Sequence, residues 1–235
     1  MTRPLAGRAA LVTGASRGIG LATARALGAA GARLTLLARD AKSLDARAAE
    51  LGARAMPCDV GNAADIDRVM TTIGDDGVPD ILVNNAGLFR PAPVDATTPE
   101  ALAAALDVNL VAPFRFIRAL LPAMRARGRG DIVNIGSIAD HTAFPENAAY
   151  GASKHGLRAL HDVMRAELRG SGVRMTLVSP GPVDTSLWDE IDPDSREGFT
   201  PRSRMLLPDA IAAAVLYALT QPPEVDVELV RLSRS

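Results

Sequence analysis

The stretch Thr13-Gly14-Ala15-Ser16-Arg17-Gly18-Ile19-Gly20 follows a short β-rich run, residues 9–12, and leads directly into a helical pattern that begins at Ile19. Its three glycines permit a tight turn and let backbone amides approach a pyrophosphate at the positive end of the helix dipole. A glycine-rich string alone is weak evidence for a dinucleotide site, because an ordinary turn between a strand and a helix has a similar sequence. The strand, loop and helix context that the motif requires is present, so we predict dinucleotide binding here.

Short β-rich runs alternate with longer helical stretches along most of the chain. The β-rich runs are residues 9–12, 33–38, 54–56, 81–83, 132–135, 175–178 and 225–232. Alanine, leucine and arginine at helical spacing mark residues 19–30, 43–51, 63–73, 100–127 and 150–169. The runs are apolar almost throughout, as expected for parallel strands covered by helices on both faces. The alternation predicts βαβ units with right-handed crossovers.

Two segments interrupt this pattern. Residues 184–208 carry three prolines, a glycine and several charges without clean periodicity, which indicates a loop or a pair of short mobile helices. We predict that this segment is a lid over the substrate. Pro113 lies inside the stretch 100–127 and should kink or divide that helix, because proline removes a backbone donor.

The composition excludes several classes of protein. The 235 residues are 48% hydrophobic and 23% charged, which allows a large core and excludes disordered, collagen-like and small disulfide-stapled chains. No long proline- or serine-rich linker divides the chain, so we expect one domain spanning residues 1–235. The 26 basic and 27 acidic residues balance, so no overall field recruits nucleic acid or an anionic membrane surface.

The number of cysteines and the hydropathy of the chain indicate in which cellular compartment the protein is expected. Cys58 is the only cysteine, which excludes an internal disulfide and a multi-cysteine zinc site. We expect no metal and interpret Cys58 as a small buried hydrophobe. The longest stretch without a charge, residues 210–223, is shorter than the roughly 18 residues that a spanning helix needs. No signal peptide is visible, so we expect a cytoplasmic protein.

The end of the second predicted strand, Leu37-Ala38-Arg39-Asp40, bears on the choice of dinucleotide. An acidic side chain there would bind the adenosine ribose hydroxyls, whereas an arginine would pair with a 2′-phosphate. Ala38 cannot bind a ribose, Arg39 is suitably placed for a phosphate, and Arg17 can supply a second positive charge. NADP(H) is therefore favoured over NAD(H). Asp40 is either a ribose ligand or, as we prefer, the N-cap of the next helix.

Three polar residues farther along the chain point to acid–base chemistry. Ser137 follows a predicted strand, and Tyr150 and Lys154 share one face of a predicted helix because they are four residues apart. A phenol with a pKa of about 10 is a poor acid–base group near neutrality unless a neighbouring positive charge stabilises the phenolate. Lys154 supplies that charge, and Ser137 can donate a hydrogen bond to a substrate oxygen as negative charge develops.

The combination of these motifs closely resembles the short-chain dehydrogenase/reductase family over nearly the whole chain. The matching pattern is the T-G-x3-G-x-G loop, then a serine, then Y-x3-K. It extends to Asn84-Asn85-Ala86-Gly87 after the fourth predicted strand, to Asn109 in the long helix, and to Pro180-Gly181 with Thr185 after the sixth strand. A set of motifs in this order is highly specific.

The resemblance implies a role for each catalytic residue. Tyr150 would be the acid–base residue and Ser137 would stabilise the oxyanion. Lys154 would both activate Tyr150 and bind a ribose of the cofactor, and Asn109 would hold a water in a proton relay.

Further residues are expected to contact the cofactor. Asn85 and its neighbours would border it while also stabilising the sheet. Asp59 is assigned by the resemblance to the adenine edge, although a turn role is an equal alternative. Val183 can offer its main-chain amide and carbonyl to the nicotinamide carboxamide, and Thr185 can bond to the carboxamide or the pyrophosphate. The expected set is Gly14, Ser16, Arg17, Gly18, Ile19, Gly20, Arg39, Asp59, Val60, Asn85, Ala86, Gly87, Tyr150, Lys154, Pro180, Gly181, Val183 and Thr185.

Substrate specificity is expected to come from two mostly apolar segments. The residues after Ser137 are Ile138, His141 and Phe144, and the predicted lid contributes Leu187, Trp188, Ile191 and Phe199. These side chains indicate a carbonyl or a secondary alcohol on a moderately hydrophobic small molecule. For His141, a solvated loop position is the simpler interpretation.

These observations together predict a fold and a function. The fold should be a single Rossmann-like, doubly wound α/β domain with a mainly seven-stranded parallel sheet in the order 3-2-1-4-5-6-7. The function should be NADP(H)-dependent hydride transfer between a carbonyl and a secondary alcohol. The alternatives are a catalytically idle NADP-sensing regulator, and a lyase or isomerase on the same fold. The resemblance also implies a homodimer or homotetramer, and we expect no nucleic-acid or membrane partner.

Overall fold

The computed structural model describes residues 3–235, apart from the side chains of residues 75 and 76. Within these residues, seven parallel strands form one sheet in the order β3-β2-β1-β4-β5-β6-β7. The strands are β1 (Ala9–Thr13), β2 (Arg33–Ala38), β3 (Arg54–Pro57), β4 (Ile81–Asn84), β5 (Gly130–Ile135), β6 (Val173–Pro180) and β7 (Leu229–Leu232). The helices are α1 (Gly18–Ala29), α2 (Ala41–Leu51), α3 (Ala63–Asp76), α4 (Pro99–Leu106), α5 (Ala112–Ala126), α6 (Ala148–Leu168) and α7 (Pro208–Leu219). The predicted doubly wound, Rossmann-like α/β fold and its strand order are confirmed.

Two apolar layers, one on each face of the sheet, form the core. On one face, Val12 of β1 belongs to a cluster with Leu27 of α1 and Ile211 of α7. On the other face, Leu11 of β1 belongs to a cluster with Phe116 of α5. Neighbouring residues of a strand point to opposite faces, so a strand covered on both sides must be apolar at every position. None of the helices in residues 3–235 is both long and apolar enough to cross a bilayer.

The long helical stretch predicted for residues 100–127 is divided. A π-helical segment, Asp107–Val111, lies between α4 and α5. Pro113 falls in the first turn of α5, where a missing backbone N–H does least harm. Before it, the N–H of Ala112 donates to the carbonyl of Asp107, five residues earlier, as in a π-helix. The division predicted from Pro113 is confirmed, and the wider turn before it carries Asn109.

The last strand is shorter than the pattern of residues 225–232 predicts, because β7 begins only at Leu229. The preceding backbone is bound elsewhere. The N–H of Val225 donates to the carbonyl of Pro222 at 2.9 Å. Arg174 on β6 donates from Nη1 to the carbonyls of Pro222 and Val225 at 3.0 and 2.9 Å. These groups form a turn around the guanidinium and are not available to a sheet ladder.

Charged groups close the edge of the sheet where the strands begin. Asp131, buried at the start of β5, accepts hydrogen bonds from Arg8 and, at 2.7 Å, from Nε of Arg174. Asp80 accepts from the backbone N–H of Ala9 at 2.9 Å. Burial alone would raise the pKa of Asp80, but that N–H and nearby arginine charges lower it below its usual value. The opposite edge, where the strands end, is left open for a ligand.

Gly172, directly before β6, is expected to tolerate no side chain. Its φ is +76°, and a Cβ there would lie 2.0 Å from the carbonyl oxygen of Gly128. Gly170 has a similar φ of +75°, but a Cβ there would meet nothing within 4 Å. Both Gly170→Ala and Gly172→Ala should lose about 1–2 kcal/mol of stability to the left-handed backbone. Gly172→Ala should lose roughly 2 kcal/mol more to the clash. Urea denaturation measures both losses, and equal values would contradict the close approach of Gly128.

Candidate active site

A cavity of about 1010 Å³ opens where the strands end. Its wall is formed by residues that follow β1, β2, β4, β5 and β6, together with the first turns of α6. The strand order reverses at β1, which stands between β2 and β4. Open α/β sheets bind ligands at such a reversal, because the loops on its two sides diverge and leave a crevice.

The loop after β1 has the conformation that its glycines predict. Gly14 and Gly18 have φ values of +65° and +55°. A Cβ on Gly20 would lie 2.3 Å from the carbonyl oxygen of Gly14, so only glycine permits this packing. α1 begins at Gly18, and no side chain of the described residues caps its first-turn amides. Uncapped amides at a helix N-terminus suit an anionic group, so the loop fits the pyrophosphate of a dinucleotide.

Thr13 and Asn85 join the loops that follow β1 and β4. The Thr13 hydroxyl accepts hydrogen bonds from the backbone N–H groups of Asn85 and Ala86 at 2.9 and 3.0 Å. The Asn85 side-chain amide donates to the carbonyls of Thr13 and Gly14 at 2.9 and 3.2 Å. These four bonds hold the glycine loop against the neighbouring strand end, and Asn85, Ala86 and Gly87 also line the cavity.

Two arginines lie in the wall of the cavity, Arg39 after β2 and Arg17 in the glycine loop. Among the described residues, neither guanidinium takes part in an ion pair. Asp40 is the N-cap of α2, and its side chain accepts from the N–H of Ser43 at 3.4 Å. The predicted capping role of Asp40 is therefore confirmed, and the two arginines remain available to an anionic ligand.

The residues after β3 also reach the cavity, in the order Cys58, Asp59 and Val60. The Asp59 carboxylate accepts from the N–H of Gly61 at 3.0 Å, which is the turn role that the sequence left open. Cys58 is buried, as expected for a small hydrophobe. Burial raises the pKa of its thiol to about 11, so the thiol stays protonated and unreactive at neutral pH.

Ser137, Tyr150 and Lys154 come together in the cavity wall. Ser137 follows β5 and caps a short 3-10 turn, with its Oγ accepting from the N–H of Ala139 at 3.2 Å. On α6, Nζ of Lys154 donates to the Ile135 carbonyl at 2.8 Å and lies 5.6 Å from the centre of the Tyr150 ring. Tyr150 also hydrogen-bonds to Ser137. One hydroxyl, one phenol and one ammonium thus face the same space.

Burial dominates the protonation of this group. Burial raises the pKa of Tyr150, and the charge of Asp140 raises it further. A hydrogen bond from Ser137 lowers this pKa but does not cancel the two other effects. Burial also lowers the pKa of Lys154 to about 8, although the charge of Asp140 opposes this shift. At neutral pH the phenol is therefore protonated and the ammonium is still charged.

Comparison with known proteins identifies the family of this chain. The family model described as short chain dehydrogenase matches residues 8–196. The chain belongs to the short-chain dehydrogenase/reductase family.

The chain is similar to members of this family over almost its whole length. D-threitol dehydrogenase of Mycolicibacterium smegmatis is 37% identical over 223 residues, which cover 91% of this chain and 86% of that protein. A crystal structure of a metagenomic short-chain oxidoreductase in complex with NADP is 36% identical, covers 99% of each chain and has a TM-score of 0.84. An alcohol dehydrogenase from the archaeon Thermococcus sibiricus, complexed with 5-hydroxy-NADP, is 31% identical, covers 96% of this chain and 95% of that chain, and has a TM-score of 0.83.

Most of the predicted site residues of this short-chain dehydrogenase/reductase line the cavity. They are Gly14, Ser16, Arg17, Gly18, Ile19, Arg39, Asp59, Val60, Asn85, Ala86, Gly87, Ser137, Ile138, Phe144, Tyr150, Lys154, Pro180, Gly181, Val183, Thr185, Leu187, Trp188 and Phe199. Four expected residues are not in the wall: Gly20, Asn109, His141 and Ile191. Gly20 packs behind Gly14, and Nδ1 of His141 lies 2.6 Å from the carboxylate of Asp140, which draws the imidazole away.

Asn109 is buried in the π-helical segment, and its side chain is occupied by other parts of the chain. Its Oδ1 accepts from the N–H of Leu88 at 2.8 Å. Its Nδ2 donates to the Leu88 carbonyl and to the Ser153 hydroxyl, each at 2.9 Å. The amide therefore ties the segment after β4 to α6. The side-chain amide is thus not available to hold the water that the sequence interpretation expected there.

An aromatic cluster stands next to the acid–base group. The ring of Phe89 lies 4.8 Å from that of Tyr150 and 5.3 Å from that of Trp188, and Trp188 lies 6.2 Å from Phe199, all centre to centre. Sequence reasoning missed Phe89. The sequence contained a feature that could have pointed to it. Phe89 is an aromatic residue two positions after the Asn-Asn-Ala-Gly motif, in a chain that is only 3% aromatic.

The segment 184–208 contains two short 3-10 helices, Ser186–Trp188 and Arg202–Arg204, as one of the two sequence interpretations predicts. Arg202 pairs with Asp184 at 2.9 Å and with Asp189 at 2.5 Å. Another arginine of the segment, Arg196, pairs with Glu146 at 2.6 Å on the opposite rim of the cavity. The pairs of Arg202 hold the segment together internally, and the pair of Arg196 joins it to the residues before α6.

Lys154→Met is expected to change how stability depends on pH. The pKa of Lys154 in the folded protein is about 8, below its ordinary value of 10.5. Unfolding therefore takes up a proton between these pH values, and the stability of the parent should rise relative to the variant from pH 8 to 10.5. The rise should approach about 3 kcal/mol. Urea denaturation of parent and variant across this range measures it.

Lys42→Met is the matched control, because Lys42 is the only other lysine in the chain and is exposed on α2. It should show no such pH-dependent difference from the parent. A Lys154→Met variant that behaves in the same way as this control would show that the ammonium is not desolvated in the folded protein.

Proposed function

We propose that the protein is an NADP(H)-dependent oxidoreductase that interconverts a carbonyl group and a secondary alcohol on a moderately hydrophobic small molecule. The observation that carries the proposal is the convergence of Ser137, Tyr150 and Lys154 in the cavity that the glycine loop also lines. Family membership supports the reaction class. A catalytically idle NADP sensor, the main alternative, has no use for a phenol held between a hydroxyl and an ammonium.

Residues of the chain donate and accept the proton that this reaction requires. A bound nicotinamide supplies the hydride in reduction and accepts it in oxidation. In reduction, Tyr150 donates its phenolic proton to the substrate oxygen as negative charge develops there, and in oxidation the phenolate takes a proton from the alcohol. Without a ligand, Ser137 hydrogen-bonds to Tyr150; with a substrate bound, its hydroxyl turns to donate a hydrogen bond to the substrate oxygen.

Lys154 sets how readily Tyr150 releases its proton. Burial alone raises the pKa of the phenol, and the ammonium 5.6 Å from the ring centre opposes this by stabilising the phenolate. The hydrogen bond from Lys154 to the Ile135 carbonyl holds the ammonium in place. Because the pKa of Lys154 is about 8, this assistance is present at neutral pH and is lost as the pH rises above that value.

We propose NADP(H) rather than NAD(H) as the cofactor. The metagenomic short-chain oxidoreductase and the Thermococcus alcohol dehydrogenase are both complexed with forms of NADP, which supports NADP binding here. Arg39 and Arg17 line the cavity without an ion-pair partner among the described residues, so both charges are available to a 2′-phosphate. Ala38 offers no group that could bind a ribose hydroxyl.

The substrate side of the cavity is apolar and suits a moderately hydrophobic molecule. Phe89, Trp188 and Phe199 form one continuous aromatic cluster beside Tyr150. Residues 184–208 carry part of this cluster, and we propose that they act as the lid of a single domain, residues 1–235. The rings meet edge to face or tilted and give an apolar wall, which favours an apolar group next to the reacting carbonyl.

We also propose that the protein forms a homodimer or homotetramer. Large apolar side chains are exposed on three helices, with Leu102 on α4, Phe114 on α5 and Val163 on α6. Packing of these helices between subunits would remove that surface from water.

Tyr150→Phe should abolish most of the activity without preventing cofactor binding. The change removes the proton donor and leaves the ring and its contact with Phe89. We expect the rate of NADPH consumption, measured against a panel of ketones, aldehydes and quinones, to fall about 10²- to 10⁴-fold. NADPH fluorescence should still show binding to the variant. A variant that consumes NADPH as fast as the parent would refute the role of the hydroxyl.

Arg39→Ala should weaken the use of NADPH far more than that of NADH. Loss of a charge-assisted bond to the 2′-phosphate is worth roughly 2 kcal/mol, or more than tenfold in KM for NADPH. Arg33→Ala is the matched control, because Arg33 is exposed at the other end of β2. It should change neither KM. An equal effect of Arg39→Ala on both dinucleotides would exclude the assignment.

A further inference from the structure

The mechanism leaves one buried carboxylate beside the active site unexplained. Asp140 ends the 3-10 turn that Ser137 caps, and its side chain is 0% exposed. It accepts a hydrogen bond from the Ser179 hydroxyl, lies 2.6 Å from Nδ1 of His141 and lies 3.6 Å from Nη1 of Arg158 on α6. A buried charge is retained only when it is paired and hydrogen-bonded, and this one has three partners on three elements.

The carboxylate packs against the backbone that connects the active-site residues. The N–H of Asp140 donates to the Ser137 carbonyl at 2.8 Å. A Cβ on Gly136 would lie 2.8 Å from Oδ2 of Asp140 and 2.9 Å from the Ser179 hydroxyl, so the carboxylate rests directly on Gly136. Gly136 stands between Ser137 and Ile135, whose carbonyl accepts from Lys154. The position of Asp140 therefore determines the path of the backbone that holds both groups.

The charge of Asp140 also acts on the acid–base pair. It raises the pKa of Lys154 against the burial that lowers it, and it adds to the raised pKa of Tyr150. Arg158 and His141 are the other titratable or charged side chains that contact the carboxylate. Arg158 is shared, because it also lies 3.9 Å from Asp162, an exposed residue one turn farther along α6.

We propose that Asp140 is a positioning residue of the active site: held by Ser179, His141 and Arg158, it fixes the turn that carries Ser137 and supplies a negative charge to the buried wall that contains Lys154. Arg158, whose Nη1 lies 3.6 Å from the carboxylate, moderates this charge. The inference rests on the proposed function for its catalytic meaning, but its electrostatic part can be measured without any substrate.

The charge of Lys154 can be followed directly, because the chain contains only two lysines, Lys42 and Lys154. Protein labelled with ¹³C at lysine Cε gives two NMR signals, and Lys42→Arg assigns them. In the cofactor-free parent, Lys154 should titrate near its pKa of about 8. Asp140→Asn removes the charge but keeps the shape, and it should lower this value by about 0.5 to 1 unit.

Two further variants make the test independent of general damage to the site. Arg158→Gln removes the countercharge of Asp140, so it should move the titration of Lys154 in the opposite direction, to higher pH. Asp162→Asn, the matched control, removes the exposed carboxylate that also contacts Arg158 and should leave the titration unchanged. Should Asp140→Asn fail to fold by circular dichroism, Arg158→Gln still decides. Unchanged titration in the folded variants, or shifts of the same sign, would overturn the proposal.

The pH dependence of kcat gives the catalytic readout and separates this inference from the proposed function. In carbonyl reduction, the alkaline limb of Asp140→Asn should move to lower pH with the Lys154 titration, and that of Arg158→Gln to higher pH. A purely structural role would lower kcat without moving the limb, and would count against the proposal. If the parent protein reduces no carbonyl compound but the variants shift the Lys154 titration as expected, the proposed function is refuted and the inference about Asp140 stands.

Discussion

The hydrogen bonds between Thr13 and Asn85 are the contacts on which the rest of the site depends. They bind the ends of β1 and β4 to each other through the Thr13 hydroxyl and the Asn85 amide. Helices leave these two strands toward opposite faces of the sheet, so the clamp marks the place where the crevice opens. It also brings Asn85 so close to Gly20 that a Cβ there would lie 2.4 Å from its Nδ2. Thr13 and Asn85 thus hold the two strand ends that border the cavity. The position of Asn85 also means that only glycine fits at position 20.

In the same crevice, burial opposes the ionisation of the two titratable side chains, Tyr150 and Lys154. Closing the wall around Tyr150 and Lys154 removes water from both, which raises the pKa of the phenol and lowers that of the ammonium. Each shift favours the neutral form, whereas the proton transfer that we propose needs the phenolate within reach. The hydrogen bond from Ser137 opposes the effect on the phenol. The Ile135 carbonyl accepts from the ammonium and the charge of Asp140 raises its pKa, so both stabilise the charged form.

Particular elements show how far sequence reasoning reaches. Most strand bounds follow from apolar runs, because a strand buried on both faces allows few residue types, whereas the strand order is what the family resemblance implies. Pro113 predicts the division of the long helix, and Asp40 predicts a helix cap, since both act through the local backbone. The start of β7 was predicted four residues too early, because Arg174 binds the carbonyls of the preceding turn. That contact joins residues about fifty positions apart, and no local pattern records it.

By itself, the sequence determined the parallel α/β architecture, the glycine loop and the three residues to which we assign acid–base chemistry, because each depends on residue type at short, regular spacing. Only the tertiary structure decided that the Asn109 amide is taken up by Leu88 and Ser153, that Phe89 completes the aromatic wall, and that His141 turns to Asp140. These are contacts between distant segments, and their partners are set by packing. The protonation of Tyr150 and Lys154 belongs to the same class, because a pKa shift arises from burial and neighbouring charge, which exist only after the chain has folded.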